Sequence, residues 1–337
     1  MEIHFYQTIK RSFPVALLLS AQAFAVLAQS SEPQLAKERE VLLTVSVTDK
    51  RGYPFKGMKP EHFKITGDKQ PQEISSLSDQ DEPVSVAFLI DTSGSMRGPI
   101  EGTTNLHFII NGIRDFLQIS HEANEYAMLG FNKEVRLLLD WTPDGKKIEG
   151  ALAKLALEPV QGQTALFDAC HQGLELMRRS SHRKRVVILL SDGSDTSSKD
   201  SWHRKAREEI RKSDSIFFSI NTDVLYLAEQ SRQSILNPRI GTFAVENQRG
   251  RDVLEELSKD SGGVAFSPRN FAEVNGALEL INLLLRNQYV IGIKANHVDG
   301  KWHEVKIEIK LPPNAPRELK YPVVKYRAGY FGPTARD

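Results

Sequence analysis

The sequence contains a single cysteine, Cys170, so no disulfide can close within the chain. It also lacks an excess of either charge, with 44 Lys and Arg against 43 Asp and Glu. That balance removes the positive field a nucleic-acid-binding chain presents. There is no G-x-x-x-x-G-K-[ST] and no G-x-G-x-x-G opening a helix after a strand, which argues against a nucleotide cradle. A G-x-S-x-G elbow is missing as well, and the nine histidines show no H-E-x-x-H spacing. Serine-hydrolase and zinc-protease chemistry therefore have no foothold.

Long apolar runs are scarce too. One stands out, Phe13 to Ala28, preceded by Lys10 and Arg11 and ending in small residues. This is the pattern of a secretory signal peptide over residues 1–28, with cleavage expected after Ala28 and an alternative site after Ala23. Ser20 and Gln22 interrupt the run, and it falls short of the ~20 apolar residues that span a bilayer. The expectation is export to the periplasm or the exterior, with no membrane insertion once the leader is removed. An exported chain without disulfides has to rely on its core and on metal for stability.

What remains of the 337 residues suggests two domains. After a polar leader at 29–38, Leu43, Val45 and Val47 alternate with Thr44, Ser46 and Thr48, and Phe63 and Ile65 alternate before Gly67-Asp68. This period of two means half-buried antiparallel strands. From Val84 the pattern changes to short apolar strands ("VSVAFLI", "EYAMLGF", "RVVILL", "IFFSI", "VAFS") alternating with amphipathic helices, and "RLLLDW" reads as an edge strand. Such alternation predicts a doubly wound α/β fold, a mostly parallel sheet with helices on both faces. The chain then returns to β in "QYVIGIKAN", "WHEVKIEIKL" and "VVKYRAGYF", with Asp299-Gly300 expected to close a hairpin. Each β flank is too small to stand alone. The expected organisation is therefore one β-sandwich-like domain made of residues 39–82 and 288–332, with the α/β domain, 83–287, inserted between them.

Ligands of an open parallel sheet bind at the carboxyl edge of its strands, near the switch point. Three loops should meet there: "DTSGS" with Asp91, Ser93 and Ser95, "GQTALFDA" with Thr164 placed to cap a helix, and "SDGSD" with Asp192. Together they offer two carboxylates and three hydroxyls, with no imidazole and no thiolate. Oxygen-only donors select a hard divalent cation, and so few charged groups suit Mg²⁺ or Mn²⁺ better than Ca²⁺. Taken singly, Asp91, Ser93, Thr164 and Ser191 are also ordinary turn or cap residues.

Asp-x-Ser-x-Ser after the first strand, Thr in a Gly-x-Thr loop, and Ser-Asp-Gly after the fourth strand resemble the metal-ion-dependent adhesion site of von Willebrand factor type A domains. The resemblance covers about 83 to 287. With "VTDKRGYPFKGMKPEHFKI" before it and "KYRAGYF" after it, the layout is similar to that of a secreted bacterial family related to those domains. It implies that Ser93, Ser95 and Thr164 ligate the metal through hydroxyls, while Asp91 and Asp192 hold it largely through waters. It also implies that a partner protein supplies an Asp or Glu to the open coordination position, and that the protein binds rather than catalyses.

Two alternatives remain: a Mg²⁺-dependent phosphatase of the haloacid dehalogenase type, and a structural subunit whose metal only stabilises the fold. The phosphatase needs a second Asp two positions after the nucleophile, where this chain has Ser93. Residues 222–250 exceed an ordinary connection, which predicts an insertion with its own helix over Val224 to Ile235, rimming the metal edge. Arg178-Arg179 and Arg183-Lys184-Arg185 read as a solvated loop at the opposite edge, Cys170 as a buried small hydrophobe, and His297 and His303 as solvated strand residues.

Overall fold

The computed structural model describes residues 40–96, 105–223, 240–295, 297–311 and 321–333, with backbone alone at 240–247 and Phe271. The expected signal peptide and leader, and the expected helix Val224 to Ile235, lie outside the described residues.

In chain order the strands that open the fold are β1 (Glu40–Thr48), β2 (Phe63–Gly67), β3 (Gln70–Pro71) and β4 (Ile74–Ser78). The α/β part follows with β5 (Val84–Asp91), α1 (Asn105–Ile119), β6 (Glu125–Phe131), β7 (Val135–Thr142), α2 (Gly145–Ala156), α3 (Leu166–Met177) and β8 (Lys184–Ser191). It continues with α4 (His203–Lys212), β9 (Ser215–Asn221), α5 (Ile240–Ser261), β10 (Ala265–Phe266) and α6 (Phe271–Arg286). The chain closes with β11 (Tyr289–Lys294), β12 (Trp302–Ile309), β13 (Val323–Lys325) and β14 (Gly329–Phe331).

The central sheet has the order β10-β9-β8-β5-β6-β7. All its pairs are parallel except β6 with β7, so "RLLLDW" is the edge strand its half-apolar pattern suggested. Successive residues of β5 face opposite layers. Val86, Phe88 and Ile90 pack with Ile109, Phe116, Leu152, Leu278 and Ile281 of α1, α2 and α6. Ala87 and Leu89 pack with Cys170, Leu174, Ile210, Leu254 and Leu257 of α3, α4 and α5. Two buried faces explain why β5 carries no exposed position at all. The strand order runs outward in one direction from β5 and in the other from β8, so the winding reverses between these two strands.

The sheets at the ends of the chain draw on both flanks. One has the order β13-β1-β11-β4 and the other β14-β12-β2-β3. Their inward residues, among them Leu43, Val45, Phe63, Ile65, Ile291, Val305 and Ile307, form one core. Tyr289 spans it: its ring meets Phe63 edge-on at 5.3 Å, its hydroxyl donates to the Phe55 carbonyl at 2.8 Å and accepts the Met58 N–H at 3.1 Å.

Three expectations need correction. Asp299-Gly300 does not close a hairpin between paired strands, because β11 pairs with β1 and β4 while β12 pairs with β2 and β14. The turn is local and correct, with Asp299 Oδ1 accepting the Lys301 N–H at 2.9 Å, but it carries the chain from one sheet to the other. "VVKYRAGYF" is likewise two strands, one in each sheet. The helix expected near Asp252 begins at Ile240.

Candidate metal centre

Asp91 ends β5 with no solvent exposure. Its Oδ1 accepts the Ser93 N–H at 2.8 Å, an Asx turn that folds the "DTSGS" loop back over the strand end. Its Oδ2 accepts the Ser191 hydroxyl at 2.8 Å. Ser93 Oγ and Ser95 Oγ lie 3.1 Å apart. Asp192 repeats the motif just past the end of β8, accepting the Ser194 N–H at 2.8 Å on Oδ1.

The loop carrying Thr164 is tied to the first loop by its backbone: the Gly94 N–H donates to the Gly162 carbonyl and the Gln161 N–H to the Thr92 carbonyl, each at 3.1 Å. It is tied to the third loop by the Thr164 carbonyl, which accepts the N–H groups of Thr196 and Ser197 at 2.8 and 3.0 Å. Thr164 does not cap α3. Ala165 occupies that position without a side-chain bond, and Ser198 Oγ accepts the Phe167 and Asp168 N–H groups instead, both at 3.1 Å. The cap role that would have accounted for Thr164 is thus filled from another loop.

The two glycines Gly193 and Gly250 explain how the third loop is seated. Gly193 has φ +82°, and a Cβ on it would overlap the Gly250 carbonyl, while a Cβ on Gly250 would overlap the Asp192 carbonyl. Helix α5 therefore packs backbone to backbone against the Asp192 loop, and neither position tolerates a side chain.

The electrostatics point to a cation. Burial, and then the charge of Asp192, push the Asp91 carboxyl up to about 7, against the hydrogen bonds from Ser93 and Ser191. Asp223, two residues beyond β9, behaves alike: burial and then Asp192 push it up to about 6, with Arg251 opposing. Its Oδ2 is buried without a hydrogen-bond partner among the described residues. Surplus negative charge, an unpartnered carboxylate oxygen and neighbouring hydroxyls fit a hard divalent cation. Asp91, Ser93, Ser95, Thr164 and Asp192 are all on loops that meet at this edge. Ser191, an ordinary cap residue by its sequence, instead braces Asp91, and Asp223 is absent from the expected site, although a carboxylate just past a strand neighbouring β8 is a usable signal for it.

Elsewhere the bland readings hold in part. Arg178, Arg179 and Arg183 pair with Glu175, Asp140 and Glu82, but Lys184 and Arg185 correct the solvated-loop expectation, because both belong to β8 and Lys184 is buried with its ammonium on the Leu285 carbonyl. Cys170 is buried, and burial pushes its thiol up to about 12, which leaves it unreactive. His303 departs from expectation, being buried on β12. Among the described residues no helix is long and apolar enough to cross a membrane.

Residues 86–194 match the family model described as the von Willebrand factor type A domain. No curated protein matches the chain. Similar solved structures include an aerotolerance-related membrane protein from Bacteroides fragilis, 15% identical, covering 60% of this chain and 98% of that one with a TM-score of 0.42. The conserved hypothetical protein BatB from Bacteroides thetaiotaomicron has the same identity, coverage and TM-score, 15%, 60% with 98%, and 0.42. Proximal thread matrix protein 1 from the mussel byssus, with a zinc-occupied metal-ion site motif, is 17% identical over 65% of this chain and 49% of that one, TM-score 0.45.

Proposed function

The chain contains a von Willebrand factor type A domain, and from that premise we propose that it is an exported, non-catalytic module that captures an acidic side chain of a partner protein through Mg²⁺ or Mn²⁺. In this reading the hydroxyls of Ser93, Ser95 and Thr164 hold the cation directly, and Asp91 and Asp192 hold it through water. The cation supplies an electrophilic position that a partner carboxylate can occupy. The chain's own residues set its strength. Three neutral hydroxyls leave the charge poorly neutralised, and the buried, hydrogen-bonded Asp91 keeps the first loop fixed.

The observation that carries this reading is the meeting of three loops at the switch point around a buried carboxylate with surplus negative charge. Ser93 at the position a phosphatase would fill with its general acid favours binding over turnover. The test pairs capture with metal. Immobilised wild-type protein should retain a partner from the native cell envelope in Mg²⁺, release it in EDTA, and fail to retain it as Asp91→Ala. Metal-dependent hydrolysis of an aryl phosphate, abolished by Asp91→Asn, would instead favour the phosphatase.

A further inference from the structure

A second group of metal-competent side chains lies in the β-sandwich and contains what the β5–β8 edge lacks, imidazole. Asp68 occupies the two-residue turn between β2 and β3, where Asp68 and Lys69 both have positive φ, 48° and 68°, as a tight hairpin turn of this length requires. Its Oδ1 accepts the Glu304 N–H at 3.0 Å, which ties one oxygen of an otherwise exposed carboxylate to β12. Its Oδ2 lies 2.6 Å from Nδ1 of His303. The other ring nitrogen of His303, Nε2, lies 3.0 Å from Asp299 Oδ1. The ring of His297 stacks on that of His303, with centroids 5.0 Å and planes 13° apart.

One donor atom from each of Asp68, His297 and His303 falls within 4.8 Å of the other two, the one such group of three among the described residues. Beside them, the Cβ position of Gly332 is 3.0 Å from Asp299 Oδ1 and 3.1 Å from both the His297 carbonyl oxygen and His303 Nε2. Three polar atoms of the 297–303 stretch thus converge where Gly332 offers no side chain.

We propose that Asp68, His297 and His303 form a zinc site, with Asp299 orienting the His303 ring from its second nitrogen. Two imidazoles and a carboxylate are a borderline donor set that suits Zn²⁺ and not Mg²⁺. A carboxylate on the far nitrogen of a ligating histidine is the usual outer partner of such sites, setting tautomer and ring orientation. Tetrahedral zinc with bonds of ~2.0–2.1 Å sets its donors about 3.3 Å from one another, so the 2.6 Å between Asp68 Oδ2 and His303 Nδ1 must open while the His297 ring closes in. Asp68 and His297 are exposed and can swing, while His303, its side chain 8% exposed, is the fixed point.

The ligands also explain what the ion would do. Asp68 belongs to the segment before the α/β part, His297 and His303 to the segment after it. An ion between them cross-links the two flanks that build the sandwich, in a chain whose lone cysteine cannot. Without an ion, the same geometry serves as a protonated His303 between two carboxylates, and the experiment separates the two.

The experiment titrates the whole chain, stripped with EDTA, with Zn²⁺ alone by calorimetry. An Asp91→Ala background silences the β5–β8 edge. One equivalent should bind, and adding His297→Ala should weaken it at least tenfold. That substitution leaves the buried His303 and its two carboxylate contacts in place, so the fold should survive. Co²⁺ in place of Zn²⁺ should give the visible absorption of a tetrahedral site, lost with His297→Ala, and Zn²⁺ should raise the melting temperature only when His297 is present. An unaltered zinc isotherm in the His297→Ala variant, or no zinc binding in the parent, overturns the proposal and leaves ion pairing as the role of the cluster.

Discussion

The hydroxyl of Ser191 donates to Oδ2 of Asp91 at 2.8 Å, joining the ends of β8 and β5, the two strands between which the winding of the sheet reverses. The same hydroxyl accepts the Gly193 N–H at 3.1 Å, so one side chain braces the buried carboxylate of the first loop and the turn of the third. A site built this way is stiff before any ligand arrives, and its cost is electrostatic. Asp91, Asp192 and Asp223 crowd one edge, and two of the three carboxyls are pushed upward.

That cost gives the first prediction. Asp91→Asn keeps an oxygen for the Ser93 N–H and an amide that Ser191 can accept from, while removing a buried charge that repels Asp192. In EDTA the variant should unfold at equal or higher urea than wild type. Its Mg²⁺ affinity should fall at least about tenfold, because the charge that attracts the cation is gone. Urea unfolding with and without Mg²⁺ checks both signs together; a variant weaker in EDTA would show that the carboxylate stabilises the empty site.

Gly250 offers a test remote from the donors. A Cβ there would overlap the Asp192 carbonyl, so Gly250→Ala must push helix α5 or the Asp192 loop aside. The expected cost is about 1–3 kcal/mol of stability, as for other overpacked contacts. Mg²⁺ affinity should drop as well, although Gly250 offers no donor. Loss of stability with unchanged affinity in calorimetry would show that the loop keeps its geometry without the helix.

Much of this was legible in local pattern, and what was not involves partners far away in sequence. The period of two in Leu43, Val45 and Val47 announces a strand, and those residues do face the sandwich core. Which strands pair is set by burial across both flanks. For that reason Asp299-Gly300, a good local turn, leads between sheets instead of closing a hairpin. Thr164 looked like a cap because it precedes a helix, yet Ser198, more than thirty positions later, takes the first-turn N–H groups. His303 on an alternating strand reads as solvated until Asp68, from the other end of the chain, covers it. That the loops carrying Asp91, Ser93, Ser95, Thr164 and Asp192 meet was readable because strand ends of a parallel sheet gather at one edge whatever the details of packing.

Glu125 yields a pH dependence. It starts β6 and accepts the Ser85 hydroxyl at 2.6 Å, the Ser181 N–H at 2.5 Å and the Ser181 hydroxyl at 3.0 Å. Burial pushes its carboxyl up, but these hydrogen bonds outweigh it and leave it below the ordinary 4.5. A folded value below the unfolded one gives stability that is present above the unfolded pKa and lost as pH falls through the folded one. Glu125→Gln should cost about 1–3 kcal/mol at neutral pH through the weakened acceptor. It should also flatten the fall in stability between about pH 5 and pH 3. Urea midpoints measured across that range decide it, and parallel curves for the two proteins would exclude Glu125 as a contributor to acid lability.

Asp223 is the residue on which the extent of the metal centre turns. It lies two positions past β9, its own N–H donating to Asn221 Oδ1 at 2.8 Å, so the backbone holds it at the edge. Its Oδ2 is buried without a hydrogen-bond partner among the described residues, and a buried carboxylate oxygen left so costs free energy unless a cation or its water shell is there to meet it. Burial first and the charge of Asp192 second raise its carboxyl to about 6, so the two acids share one field. A dication bound near Asp192 would feel Asp223 as well, with an attraction of about 1–2 kcal/mol at intermediate dielectric. Asp223→Asn should therefore weaken Mg²⁺ roughly five- to thirtyfold, less than the loss expected for a donor such as Asp192. In EDTA the same variant should be more stable than wild type, because the repulsion on Asp192 is relieved and the new amide can donate. Calorimetry of the variant against Asp192→Asn ranks the two. An Asp223→Asn protein with wild-type Mg²⁺ affinity would place the boundary of the centre at β8 and leave the nearby charge of Arg251 as the counterweight to Asp223.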